Sequence, residues 1–177
     1  MIKYHLSKNA DILFVGINPH FGSYSRGVPF SNNKTLWYLM SRAGLIKEPI
    51  DYLKEDRNLQ KLYKNLAKKY RINFINIIDR PSRDVSALKK GEEETGAERL
   101  RRVIKIYRPR VVCFIGKVTF LKYAKVKEGD FGASRNIDGS KAYVMHFPIR
   151  GEASIRIREL KHVAKLSGHD KFMRSFD

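Results

Sequence analysis

An amide stands where an apolar run ends. Asp11-Ile12-Leu13-Phe14-Val15 breaks into Gly16-Ile17-Asn18-Pro19-His20. The glycine permits close backbone approach, the proline turns the chain out of the strand direction, and Asn18 between them can both donate and accept a hydrogen bond. That pattern suits either a turn cap or a small polar ligand, a water included. Two further stretches carry the remaining unusual side chains. Residues 76–86 hold Asn76, Asp79, Arg80, Ser82, Arg83 and Asp84, and residues 146–154 hold His146, Phe147 and Arg150. With His20, Tyr24, Arg26 and Phe30 of the first stretch, they form a set of amides, aromatics and arginines suited to a base carried on a phosphate backbone. Nucleotide-binding glycine loops are absent: Gly16 and Gly22 do not make a dinucleotide fingerprint, and Gly116-Lys117-Val118-Thr119 lacks the upstream glycine of a phosphate loop.

These stretches need a frame that gathers them. Short apolar runs at 12–17, 72–78, 111–115 and 142–147 read as four strands, and amphipathic patterns at 35–43, 53–69, 92–107, 118–124 and 154–166 read as helices. In the last, Ile155, Ile157, Leu160, Val163 and Ala164 are expected inward, with Arg156, Arg158, Lys161 and Lys165 mostly outward. Alternating strands and helices predict right-handed crossovers and a parallel sheet covered on both faces. The expected fold is a single-domain three-layer α/β sandwich with a mainly parallel four-stranded sheet over residues 1–168. Residues 129–139 read as loop and 169–177 as a loose tail. In such a sheet the segments following the strands meet at one edge, so 18–30, 76–86 and 146–154 should share a cleft.

The 177 residues contain 36 Lys and Arg against 18 acids, a formal charge of +18 and a pI near 10.1. Ten of the basic residues fall between Arg99 and Lys127 with no acid among them. A surplus of one sign points to a polyanionic partner, nucleic acid before membrane; the competing reading is the solvated face of a thermostable protein. The lone Cys113 sits in an apolar run and reads as core. One cysteine excludes an intramolecular disulfide and a cysteine-ligated cluster, and the five histidines lack zinc-site spacing. No cofactor or metal is expected. Without a signal peptide or membrane span, an intracellular location is expected.

Several motifs in order complete the reading. Gly16-Ile17-Asn18-Pro19, Gly27-Val28-Pro29-Phe30, Leu36-Trp37 and Ser41-Arg42-Ala43-Gly44-Leu45 resemble the opening of the mismatch-specific uracil/thymine-DNA glycosylases. The likeness continues through Asn76-Ile77-Ile78-Asp79-Arg80-Pro81-Ser82, Tyr107-Arg108-Pro109, residues 112–117 and Tyr143-Val144-Met145. The resemblance implies a monomeric, monofunctional glycosylase that flips a deaminated pyrimidine out of mismatched double-stranded DNA and hydrolyses its N-glycosidic bond. Uracil opposite guanine is the expected substrate, with thymine or other damaged pyrimidines behind it. It implies Asn18 as the residue positioning water and Ile17, His20, Phe30, Asn76 and Ser82 as the base pocket, with Phe30 under the base and Asn76 on its edge. An ordinary core role for Phe30 stays open, and so does a structural ion pair for Asp79 and Arg80.

Two departures stand out. His20 replaces a glycine usual in this branch; its ring either narrows the pocket against the thymine methyl or points to a phosphate. The last motif reads His146-Phe147-Pro148-Ile149-Arg150-Gly151, with no Asn or Ser at the matched place. By the resemblance His146 is expected to supply the polar contact, Ile149 or Arg150 to be the wedge that fills the vacated stack, and Gly151 to lie in the DNA-contacting loop. A DNA-binding module of this fold without chemistry and an enzyme acting on free nucleotides are the alternatives.

Overall fold

Successive side chains along each central strand face opposite layers, and both layers are apolar. The computed structural model describes residues 1–149 and 151–176. Strands β1 (Ile12–Gly16), β2 (Ile72–Asn76) and β3 (Val111–Ile115) are buried along their whole length. Strands β4 (Gly132–Ile137) and β5 (Ser140–Met145) complete a five-stranded sheet of order β2-β1-β3-β5-β4. All neighbours pair parallel except β4, which runs antiparallel to β5 at the edge.

Ile12 and Phe14, with Phe74, Cys113 and Met145, face one helical layer; Leu13 and Val15, with Ile75, Phe114 and Val144, face the other. This period of two fixes the register, since a slip by one residue would exchange the layers. The first layer comprises α2 (Thr35–Arg42), α3 (Ile50–Lys54), α4 (Asp56–Tyr70), α7 (Ala153–Ser167) and α8 (His169–Arg174), with α1 (Phe21–Arg26) tied to α4 through Arg26. The second comprises α5 (Glu92–Tyr107) and α6 (Lys117–Ala124). The chain passes from β1 to its neighbour on one side, β2, and then to its neighbour on the other, β3. That reversal opens a crevice at the carboxyl ends of the strands. None of these helices is long and apolar enough to cross a membrane.

The structure differs from the sequence reading in several places. The expected loop at 129–139 contains the fifth strand, β4, whose residues are mostly exposed and polar because it is an edge strand with no apolar run to announce it. It joins β5 through Asp138-Gly139, both at positive φ (49° and 87°), the conformation a tight two-residue hairpin requires. The expected loose tail forms α8, which is tied down by His169. That ring is fully buried, with Nδ1 3.2 Å from Asp11 Oδ2 and Nε2 2.9 Å from the Leu45 carbonyl. On α7, Arg156 is buried and Ile155 exposed, the reverse of the expectation. Finally, Asp79 and Arg80 do not pair with each other. Asp79 accepts from Arg99 at 2.6 and 2.9 Å and Arg80 clasps Glu92 at 2.7 Å through two nitrogens, so both fasten the loop after β2 to α5.

Candidate active site

The crevice holds a cavity of about 580 Å³ lined from four post-strand segments, those after β1, β2, β3 and β5. The loops after β1 and β2 continue to pair beyond their strands. Ile77 N–H donates to Gly16 O, Ile78 N–H to Ile17 O, and Ser82 N–H to Pro19 O, at 2.8–3.1 Å. Asn18 and Ser82 are thereby brought side by side.

Asn18 has its amide orientation fixed by chemistry. Its Nδ2 lies 2.7 Å from Ser82 Oγ and 3.3 Å from the Pro19 carbonyl. A carbonyl only accepts, and the Ser82 hydroxyl spends its one proton on the Asp84 carbonyl at 2.7 Å, leaving Oγ to accept from Asn18. The NH₂ group must therefore take that side. Oδ1 is left as the acceptor that Asn18 offers the cavity it lines. Ser82, expected on the base, thus has both its hydrogen-bonding roles engaged within the protein.

Phe30 and Asn76 meet across Gly16. A Cβ on Gly16 would lie 2.3 Å from Asn76 Oδ1 and 2.5 Å from Phe30 Cζ, so only glycine lets the ring and the amide converge at the end of β1. Phe30 is held at φ 53°, an uncommon conformation for a bulky residue. The hydrogen bonds around it over-determine that conformation. Ser23 Oγ accepts from the backbone N–H groups of Ser31 and Asn32, Arg26 donates to Ser31 O at 2.6 Å, and Trp37 Nε1 donates to Pro29 O at 2.8 Å. Behind it the ring packs on Phe74, with centroids 6.0 Å apart. Phe30 is therefore both a partly buried packing residue and a wall of the cavity.

His20 also lines the cavity, but its Nδ1 accepts from Gly22 N–H at 3.2 Å and caps α1. In the neutral ring the proton is then on Nε2. Across the cavity, His146 is held on three sides. Its Nδ1 is 2.7 Å from Glu159 Oε1, its backbone N–H donates to the same carboxylate, and Phe131 stacks on the ring at 3.6 Å and 17°. Lys117 Nζ caps the other face of Phe131 at 4.4 Å from its centroid. Arg156, one turn before Glu159, donates to the Phe147 and Glu152 carbonyls and secures the loop between them. These carbonyls satisfy its buried guanidinium. Ile149 and Phe147 stand exposed at the rim, Gly151 lies outside the cavity lining, and Arg150 lies outside the described residues.

Lys117, Phe131, Arg156 and Glu159 were not among the expected site residues. The first follows β3 and is covered by the same strand-end rule that selected the other loops. Arg156 falls at helical spacing from the inward Leu160 and Val163, and Glu159 is one turn before Val163. Phe131 gave no signal in the sequence, lying ahead of a polar edge strand.

The cavity is lined by one carboxylate residue among the described residues, Asp84, and its Oδ1 is engaged by the Ser86 N–H at 2.8 Å and the Ser86 hydroxyl. Those bonds hold its pKa below the ordinary value. Against it stand Arg83, Lys117 and Arg156. The arrangement offers an acceptor for a water, an aromatic wall, a second amide and net positive charge, with no carboxylate poised as a strong base. A family model, that of the uracil DNA glycosylase superfamily, matches residues 4–175, which take in all five strands and the whole cavity lining. The chain belongs to that superfamily.

Proposed function

We propose that the protein is a monofunctional glycosylase that hydrolyses the N-glycosidic bond of deoxyuridine in duplex DNA, with uracil opposite guanine as the preferred target. The observation that carries the reading is the locked Asn18 amide, which offers Oδ1 to a water beside an aromatic wall and a second amide.

A stacked base is beyond reach of a cavity, so the nucleotide must swing out at a cost of a few kcal/mol, less from a mismatch. Stacking on Phe30, on the order of 1–3 kcal/mol for a base on an aromatic ring, offsets that cost. Asn76 can pair with a carbonyl and an imide N–H together, which matches the uracil edge. An amide is no general base at neutral pH, so Asn18 orients the water and does not deprotonate it in advance. Bond breaking then leads: the base leaves as an anion in a positively lined cavity, the sugar cation is captured by the oriented water at C1′, and the proton that water then sheds neutralises the departed base, directly or through solvent. His20, in the wall beside Asn18, restricts the room available to a 5-methyl group.

The test uses end-labelled duplexes with a single U opposite G, T opposite G or U opposite A, incubated with the protein and treated with alkali. Strand cleavage at U opposite G, lost in Asn18→Ala while duplex binding persists, is expected. Intact strands despite binding would leave a DNA-binding module of this fold, and release from mononucleotides alone would indicate a nucleotide enzyme.

A further inference from the structure

A run of uncompensated charge lies away from the cavity, on α4. Arg57, Lys61, Lys64 and Lys68 recur at steps of four, three and four residues, which places them on one helix face, and all four are exposed. No acid occurs between Arg57 and Ile78 or among the first ten residues. Among the described residues none of the four makes an ion pair. Many other cations are answered: Arg26 and Lys34 by Asp56, Lys69 by Glu48, Arg80 by Glu92, Arg99 by Asp79 and Lys122 by Glu93.

The amino-terminal segment adds to this ridge. Tyr63 donates to the Lys3 carbonyl at 2.9 Å, Ser7 Oγ to the Ala67 carbonyl at 3.1 Å, and the His5 ring meets Tyr63 at 5.2 Å. Exposed Lys3 is thereby laid beside α4. Burial first, then the charges of Lys3 and Lys64, lower the pKa of His5.

The ridge leads away from the site. At its start Asp56 and Gln60 bond to Arg26, at the end of the helix that opens at His20, and from there α4 runs down the sheet toward the start of β2. Arg57 to Lys68 spans about 16 Å at ~1.5 Å per residue. That is about five phosphates of one strand at a rise of ~3.4 Å. No exposed residue of α4 is a large apolar one, whereas a helix that lies in a membrane surface buries an apolar face there.

We propose that the α4 ridge binds the sugar-phosphate backbone of a second segment of duplex DNA, beyond the segment whose nucleotide enters the cavity. The proposal rests on DNA as the partner, as in the reading above, but not on the chemistry. Such a surface raises affinity for long DNA without reading sequence.

The test compares the wild type with Lys61→Gln/Lys64→Gln/Lys68→Gln, whose thermal unfolding should match. Binding is measured against salt on a duplex of about one helical turn and on one of about five turns, each with a single U opposite G. Base release is followed under single turnover on the short duplex. Expected are unchanged release and binding on the short duplex, and a weaker, less salt-dependent complex on the long one. At ~0.9 per phosphate contact, the log–log slope should become shallower by about 2 to 3. Equal losses on both lengths would assign the lysines to the cleft, and no loss on either would make the ridge a solvated surface. Lysine-dependent binding to phosphatidylserine vesicles with unchanged long-duplex binding would make it a membrane surface. Each of these overturns the proposal. A wild type that releases no base, with the length-dependent loss still present in the triple variant, would overturn the glycosylase reading and leave the ridge standing.

Discussion

Replacing Ser82 by Ala tests the site at its most specific point. The Asn18 amide has two orientations differing by a half turn of its end group, and only one offers Oδ1 to a water in the cavity. The 2.7 Å bond to Ser82 Oγ selects that orientation, with the 3.3 Å contact to Pro19 O as a weaker aid. A hydrogen bond of this kind is worth about 1 kcal/mol net, with a range of roughly 0.5–1.5. Its loss leaves the productive orientation favoured less by about fivefold, and it also loosens the side chain. Single-turnover release of uracil should fall about 2- to 10-fold, less than about twofold of it from orientation, as a preference of roughly 5:1 drops toward 1:1, and the rest from the loosened side chain. The fall should be far smaller in an Asn18→Ala background, because a residue acting through another has nothing left to position. Global stability should change little, since the carbonyl that loses the Ser82 proton belongs to exposed Asp84 and can turn to water. Ser82→Thr, which keeps the hydroxyl, should retain most activity where the added methyl is accommodated. The competing role, a direct contact to the base, makes a different prediction: the loss would depend on which base is released and would persist without Asn18. A Ser82→Ala effect that altered discrimination between uracil and thymine and was undiminished in the Asn18→Ala background would falsify the positioning argument.

Gly16→Ala places a Cβ that needs displacements of about 1 Å from Asn76 and Phe30; it should destabilise the protein by about 1–3 kcal/mol in thermal unfolding and reduce single-turnover release roughly 100-fold. Wild-type release in a variant of unchanged stability would show that the convergence of ring and amide has no functional weight. Glu159→Ala leaves the His146 ring and N–H without their shared partner and should cost about 1.5–3 kcal/mol. It should lower release while duplex binding holds; Glu159→Gln, which keeps an acceptor and the packing, should recover a good part of both. The Glu92 carboxyl is pulled down to about 2, from an ordinary value of 4.5, by its bonds to Arg80 and then to the Lys89 N–H. A folded-state pKa below the unfolded one stabilises fully above pH 4.5 and loses that contribution as pH falls toward 2. Urea titrations of Arg80→Gln should accordingly show a shallower acid decline than wild type over that window, and parallel curves would contradict it.

How far the sequence speaks depends on the range of the forces involved. Four strands are legible because buried parallel strands must be continuous apolar runs, and the rule that chemistry gathers at their carboxyl ends then selects Asn18, Phe30, Asn76 and His146 for one cavity. The fifth strand is not legible by that signal, since an edge strand half in water carries GASRNI as easily as any loop; its one local mark is Asp138-Gly139. Helices α1 and α8 have six residues each, too few for a 3.6-residue period to show. Arg156 points inward against its expected outward place, and Glu159, for which the sequence carries no expectation, does the same: a charged side chain can point inward wherever carbonyls or an imidazole wait for it. What the local pattern cannot contain at all is the pairing that gives the site its direction. Asn18 and Ser82 are 64 residues apart, and a third group, the Asp84 carbonyl, decides which of them donates. An amide placed correctly by the strand-end rule is still ambiguous by a half turn, and only this distant hydroxyl, itself already committed, turns the position of Asn18 into a chemical polarity.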